Sequence, residues 1–314
     1  MAIPISRAAR ITRTAISPRL AIRIFVNGLV DTSYNVGLMD TPKATSNDEN
    51  LPGSPFLGKK IGNFSDSWTV RWISTTGSTN DDLVTAGRKG APDRLVLVAD
   101  HQSAGRGRLD RTWEAPHGAN LLVSLLLRSV PQFPHALTHA VALAAQSACL
   151  QVMLKAGVEV AVELKWPNDL LADGRKLAGI LSAAGPLGTS VNSAGESCQT
   201  PQFVVVGLGL NVAWAPREAA CLSEFADNTD VDRDAVLGLL LKEMDVLLAL
   251  DQTQLHERYR VNLSTLQRDI RVELPQNKFL EGRAVDVDVD GRLVVEDSQG
   301  ARSSLDIGDI VHLR

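Results

Sequence analysis

The chain has 314 residues, a net charge of −4, 44% hydrophobic and 22% charged residues, the balance of an ordinary soluble globular protein with one large or two smaller domains. The acidic charge argues against a general nucleic-acid binder, and three cysteines without a CxxC spacing argue against a disulfide framework or zinc site and for a reducing compartment. No apolar run is expected to span a bilayer, because the longest, Ala136 to Gly157, is interrupted by His139, Gln146 and Lys155.

Residues 1–66 differ from the rest. Arg7, Arg10, Arg13, Arg19 and Arg23 precede the first acidic residue, Asp31, and a polar Gly/Pro/Ser/Asn-rich stretch follows to Asp66. An organelle transit peptide has this composition, and so does a disordered tail or a start placed too far upstream. The segment is read as a disordered extension outside the fold. It lacks two amphipathic helices joined by a tight turn, so a helix-turn-helix DNA reader is not expected.

Trp68 to Ile73 alternates and is rich in β formers, which predicts a strand. Gly77-Ser78-Thr79-Asn80 then leads into a short helix from Asp81, and any of the three polar residues could cap it. Leu95 to Ala99 is a second strand. After it come three arginines, two glycines and a tryptophan between Gly105 and Trp113, a basic loop suited to an anion but equally readable as a solvated turn. Leu121 to Leu127 is almost continuously apolar and belongs in the centre of a sheet. Ala136 to Gly157 is a buried helix ended by a glycine. Glu159 to Trp166 is a strand stopped by Pro167, which presents Asn168 and Asp169 on a turn; Leu170-Leu171 and Arg175 to Leu181 form a hairpin about Asp173-Gly174. Residues 185–201 are Gly/Ser/Asn-rich and expected to be a mobile connection. Phe203 to Val206 runs into Gly207-Leu208-Gly209-Leu210-Asn211, where the glycines allow either close strand packing or approach to a ligand. Ala219 to Tyr259 is helical, most clearly over Asp234 to Leu250. Ile270–Leu274, Phe279–Val289, Arg292–Glu296 and Asp306–Leu313 are short strands of a small all-β unit, too small to be comfortable alone.

A Walker A loop and a dinucleotide GxGxxG are both missing, and no Ser/His/Asp or Cys/His motif is evident. Arginines with one lysine suit a reaction between two anions, and a nearby carboxylate suits Mg²⁺. From residues and spacing alone the reading stops at an enzyme that activates an acid with a nucleotide.

Six motifs in order carry it further: Gly77–Asn80, Gln102 with Gly105–Trp113, Gly118–Leu121, Lys165–Asp169, Lys176–Leu181 and Gly207–Asn211. Together they resemble the biotin protein ligases (biotin–acetyl-CoA-carboxylase ligases) over about residues 68–314. The resemblance implies an α+β fold: a mixed-sheet catalytic domain of the biotin/lipoate ligase type with packed helices at 67–265, and a small SH3-like β barrel at 266–314. It implies ATP and biotin as substrates with Mg²⁺. Biotinyl-5′-AMP forms first, and biotin is then transferred to a lysine of a biotin carboxyl carrier protein or domain. Ser78, Thr79, Asn80 and Gln102 would bind biotin's ureido ring, with Arg106, Gly107 and Arg108 folding over it and Gly179, Gly207 and Gly209 forming walls. Arg108, Lys176 and Arg111 would be catalytic; Arg108, Arg111, Lys165, Asn168 and Asn211 would meet ATP, and Asp169 would hold Mg²⁺. The chain departs from the family at Leu109-Asp110 in the basic loop, and in an N-terminal segment without the DNA-binding domain of the repressor members. The expected setting is cytoplasmic, without nucleic acid or membrane, and a homodimer stays open. Competing readings are a lipoate or octanoate ligase, a DNA-binding biotin sensor and a non-catalytic scaffold. The loop 105–113 is expected to order when the adenylate binds.

Overall fold

The structure, a computed structural model, describes residues 59–60, 67–109, 111–191, 195, 197–226, 231–274, 278–306 and 308–313. All but two residues of the expected N-terminal extension, and Asp110, lie outside them. Ten strands come before Asn211: β1 (Lys59–Lys60), β2 (Thr69–Thr76), β3 (Leu95–Gln102), β4 (Leu121–Leu127), β5 (Val162–Lys165), β6 (Asp169–Ala172), β7 (Arg175–Ala184), β8 (Leu187–Val191), β9 (Ser197–Pro201) and β10 (Val204–Leu210). Eight form a mixed sheet in the order β1-β2-β3-β4-β10-β7-β6-β5. Only β2 and β3 pair in parallel, because helix α1 (Thr79–Arg88) crosses between them. The other two, β8 and β9, pair as a separate hairpin. Residues 185–201, expected to be a mobile connection, therefore contain a strand pair; their polar composition reflects a ribbon with no buried face.

β4 is buried along its whole length, which accounts for its apolar sequence, interrupted only by Ser124. Val123, Leu125, Val206 and Leu208 face a large core formed with helices α2 (His135–Lys155), α4 (Arg233–Leu247) and α5 (Gln252–Val261). The opposite face has a smaller core, in which Leu83 and Ala86 of α1 pack on Leu97, Leu126, Val205 and Phe203. Complete burial of Phe203 is worth about 1.5–3 kcal/mol. The single helical region expected from Ala219 to Tyr259 is three helices, α3 (Leu222–Phe225), α4 and α5, with Asp232 and Asp251 as N-caps of the last two. By length and composition α2 is long and apolar enough to cross a membrane, contrary to the expectation that no run qualifies. Here it is a core helix, buried through Leu137, Ala140, Val141, Ala144 and Ala148.

Five antiparallel strands end the chain: β11 (Asp269–Leu274), β12 (Lys278–Val287), β13 (Leu293–Glu296), β14 (Arg302–Leu305) and β15 (Asp309–His312), in the order β14-β13-β12-β11-β15. This is the SH3-like unit. The described residues make one compact body. The small sheet docks through its 288–292 turn: Trp166 Nε1 donates to Gly291 O at 3.0 Å, and a Cβ on Gly291 would lie 2.8 Å from the His135 ring. Arg260 of α5 pairs with Asp286 at 2.5 Å.

Candidate active site

A cavity of about 440 Å³ opens on the sheet face that α1 only partly covers. It is lined by Ser78, Thr79, Asn80, Gln102, Arg106, Gly107, Arg108, Arg111, Asn168, Asp169, Lys176, Gly179, Gly207, Gly209 and Asn211. The five sequence motifs that carry these side chains meet because β6, β7 and β10 are neighbours in the sheet and the ends of β2 and β3 lie across β4 from them. Lys165 is the one candidate that does not line the cavity. It ends the edge strand β5, and its charge, after burial and Arg268, helps lower the His312 pKa to about 4.

One end of the cavity is neutral and polar. Ser78 is the N-cap of α1, which leaves Thr79 and Asn80 in the first turn, turned onto the sheet. Thr79 N donates to Gln102 Oε1 at 2.8 Å, Thr79 Oγ1 is 2.7 Å from Ser124 Oγ, Ser124 donates to Asn80 Oδ1 at 2.7 Å, and Asn80 Nδ2 donates to Leu181 O at 2.9 Å. Ser124 gives its hydroxyl proton to Asn80 Oδ1, and the one Thr79 hydroxyl proton faces two acceptors, Ser124 Oγ at 2.7 Å and Gln102 Oε1 at 3.0 Å. Gly207 makes room for the cluster: a Cβ there would sit 2.4 Å from Asn80 Oδ1.

The other end is charged. The basic loop is a small hairpin, closed by Trp113 N donating to Gly105 O at 2.9 Å and Gly107 N to Arg111 O at 2.6 Å, with Leu109 at φ 54°. Every cation of the cavity faces a carboxylate of the chain. Arg106 pairs with Asp81, Arg111 with Asp309, and Arg108 lies 3.8 Å from Asp309. Arg108 Nη1 also donates to Asn168 Oδ1 at 3.3 Å and Gly308 O at 3.4 Å. Burial lowers the Arg108 pKa, Asp309 and Asp169 raise it, and Arg111 lowers it. Lys176 Nζ is 2.7 Å from Asp169 Oδ1, but the approach lacks hydrogen-bond geometry, so this buried oxygen has no hydrogen-bond donor. Among the described residues no group of three or more His, Cys, Asp or Glu side chains could hold a metal.

Lys176 reaches the cavity because β7 has a bulge. Leu170 pairs with Ala178 and Leu171 with Lys176, so Leu177 is an extra residue. The bulge turns Lys176, Gly179 and Leu181 to one face. Asn211 lines the wall, but its amide is already engaged: Oδ1 accepts from Asn120 Nδ2 at 3.1 Å, and Nδ2 donates to Ala220 O at 3.0 Å. Trp113 lies over the strand glycines, where a Cβ on Gly209 would come within 2.5 Å of the indole, and Lys176 Nζ sits 5.7 Å from the ring centroid.

Ser124, Trp214, Pro216 and Asp309 also line the cavity, and sequence reasoning singled out none of them. Ser124 was detectable as the one polar residue in an apolar strand. Asp309 had no local signal, since its role depends on where the small sheet docks.

Residues 72–193 match the model of the biotin/lipoate A/B protein ligase family, and residues 265–313 that of the biotin protein ligase C-terminal domain. The chain is 38% identical over 252 residues to the biotin–[acetyl-CoA-carboxylase] ligase of Mycobacterium tuberculosis, covering 77% of this chain and 88% of that protein. It is 29% identical to the bifunctional ligase/repressor BirA of Bacillus subtilis, over 73% of this chain and 69% of the relative. In fold it is similar to the biotin protein ligase from Aquifex aeolicus in complex with biotin and ATP, with a TM-score of 0.61 at 23% identity over 78% of this chain and 98% of the other. The chain belongs to the biotin protein ligase family.

Proposed function

We propose that the protein is an ATP-dependent biotin–protein ligase. The observation that carries this reading is the convergence of Arg108, Lys176 and Asp169 at one end of a cavity whose other end is the neutral Thr79–Ser124–Asn80–Gln102 cluster. The cluster suits a compact neutral donor–acceptor group such as a ureido ring. The charged end suits a carboxylate and a phosphate held together. Biotin's carboxylate oxygen attacks the α-phosphorus of ATP, the bond to the bridging oxygen breaks, and pyrophosphate leaves. Arg108 and Lys176 neutralise the two anions as they meet and the charge that builds in the transition state. The amine of a carrier-domain lysine then attacks the carbonyl of the mixed anhydride, an amide forms, and AMP leaves with the bonding electron pair.

Arg111 is read as a phosphate contact. Arg106 and Gly107 cover biotin, and Gly179 and Gly209 give it backbone walls. Asp169 fits Mg²⁺, because its buried Oδ1 lacks a hydrogen-bond donor and such ions commonly use one carboxylate with phosphate oxygens and water. When bound, the ion neutralises phosphate charge. The partner is a biotin carboxyl carrier domain, and three free cysteines suit a reducing compartment such as the cytoplasm.

The test is to incubate the purified protein with Mg-ATP, a carrier domain and either biotin or lipoate, and to weigh the carrier by mass spectrometry. A gain of one biotinyl group, dependent on ATP, is expected. Modification by lipoate and none by biotin would overturn the substrate; modification by neither would overturn the reading.

A further inference from the structure

Asp309 lines the cavity but has no part in the proposed mechanism. Among the described residues it is the carboxylate that pairs with both arginines read as meeting phosphate. Arg111 Nη2 pairs with its Oδ2, and Arg108 Nη1 lies 3.8 Å from its Oδ1. Burial lowers the Arg108 pKa, and of the charges that raise it Asp309 comes before Asp169. Two guanidinium groups converging on a pair of acidic oxygens is also how arginines hold a phosphate. On these two arginines the Asp309 carboxylate takes the place of a ligand's charge.

Asp309 is not free to follow the arginines when they turn to a ligand. It begins β15, where it pairs with Glu273 of β11, and the main chain just before it is tightly packed. A Cβ on Gly308 would lie 2.4 Å from Val272 Cγ1. The Gly308 carbonyl also accepts from Arg108 Nη1 at 3.4 Å, so the small sheet grips that side chain at two points. A phosphate that joined Arg111 beside an ionised Asp309 would bring two like charges to one guanidinium. A phosphate that replaced Asp309 would first have to break its pairs. Either route weakens nucleotide binding relative to a site without this carboxylate.

We propose that Asp309 is a built-in competitor of the nucleotide, holding Arg108 and Arg111 in the ligand-free protein until the phosphates of ATP displace it. The small sheet then takes part in the first step, because its carboxylate recovers Arg111 when pyrophosphate leaves. This rests on the ligase reading, and on the two arginines meeting phosphate.

The test is calorimetric titration of Mg-ATP onto protein saturated with the alcohol analogue of biotin, which fills the acid's place without a carboxylate to react. Asp309→Asn is expected to bind Mg-ATP about fivefold more tightly than the wild type, the scale of one partly exposed ion pair. In an Arg111→Ala background the same change is expected to gain less than about twofold, because the closer of the two pairs is already gone. Asp306→Asn removes a charge from the same small unit at a residue outside the cavity, and a change of less than about twofold is expected from it. Should Asp309→Asn not fold, Asp309→Ser removes the same charge and allows the same comparisons. Unchanged or weaker binding in Asp309→Asn would overturn the proposal. An equal gain in the Arg111→Ala background, or from Asp306→Asn, would also overturn it, since long-range charge would then explain the effect. Absence of Mg-ATP binding in the wild type would instead overturn the ligase reading.

Discussion

Lys176 and Gly179 stand three residues apart on one strand, yet both lie against the indole of Trp113. In a regular strand residues three apart point to opposite faces. The extra residue Leu177 restores the parity, and the same shift brings Lys176 to Asp169. The reactive end of the cavity thus depends on one irregularity in the sheet.

The glycines of β10 can be tested by adding a methyl group. Gly207→Ala puts a Cβ 2.4 Å from Asn80 Oδ1 and forces Asn80 out of its bonds to Ser124 and Leu181. A destabilisation of about 1–3 kcal/mol is expected, with biotin affinity reduced more than ATP affinity. Thermal melts and equilibrium binding of each ligand measure both; unchanged biotin affinity would separate this cluster from biotin.

Asp309 ties the basic loop to the small sheet through Arg108 and Arg111. Both sites are partly exposed, so the tie is worth about 1 kcal/mol and roughly a fivefold change in opening. Asp309→Ala should raise tryptic cleavage within residues 105–113 by about that factor in ligand-free protein. Biotin with ATP should protect wild type and variant alike. Equal cleavage of both proteins without ligand would show that Asp309 does not hold the loop, and equal cleavage with and without ligands would show that the loop does not close.

The joint between the two sheets should be sensitive to acid. His139 stacks on Tyr259 with ring centroids 3.6 Å apart and has His135 5.0 Å away. Burial first, then His135 and His256, hold its pKa well below the ordinary 6.5. His135 is also lowered, chiefly by burial, although Asp290 and Asp288 act in the opposite direction. Neutral in the fold and protonated when unfolded, His139 contributes stability that is present above pH 6.5 and lost as pH falls through the folded pKa. His139→Phe keeps the stacking and removes the proton site. It should flatten the decline in stability below pH 6.5 by up to about 1.4 kcal/mol per pH unit. Melting curves from pH 7 to pH 5 with the same slope in both proteins would contradict this.

Much of the fold was legible because local pattern and final environment agree. Leu121 to Leu127 is apolar but for Ser124, and β4 is buried on both faces. The basic loop, the Asn168-Asp169 turn and the β10 glycines could be picked out because each breaks the pattern around it. Residues 187–201 could not be read as strands, since a ribbon without a buried face has no alternation to show. Lys165 was chosen for its motif and lies on the edge strand, outside the cavity. The Leu177 bulge and Asp309 depend on register and on docking between sheets, and neither leaves a local trace in the sequence.

The central claim is that Arg108 and Lys176 together neutralise a carboxylate and an α-phosphate. It is tested most directly by biotin-dependent pyrophosphate exchange in Lys176→Ala and Arg108→Ala. Each variant should lose about 10²-fold or more in kcat, as expected when transition-state charge stabilisation is removed, while melting as the wild type does. Exchange at the wild-type rate in either folded variant would contradict the role assigned to that residue.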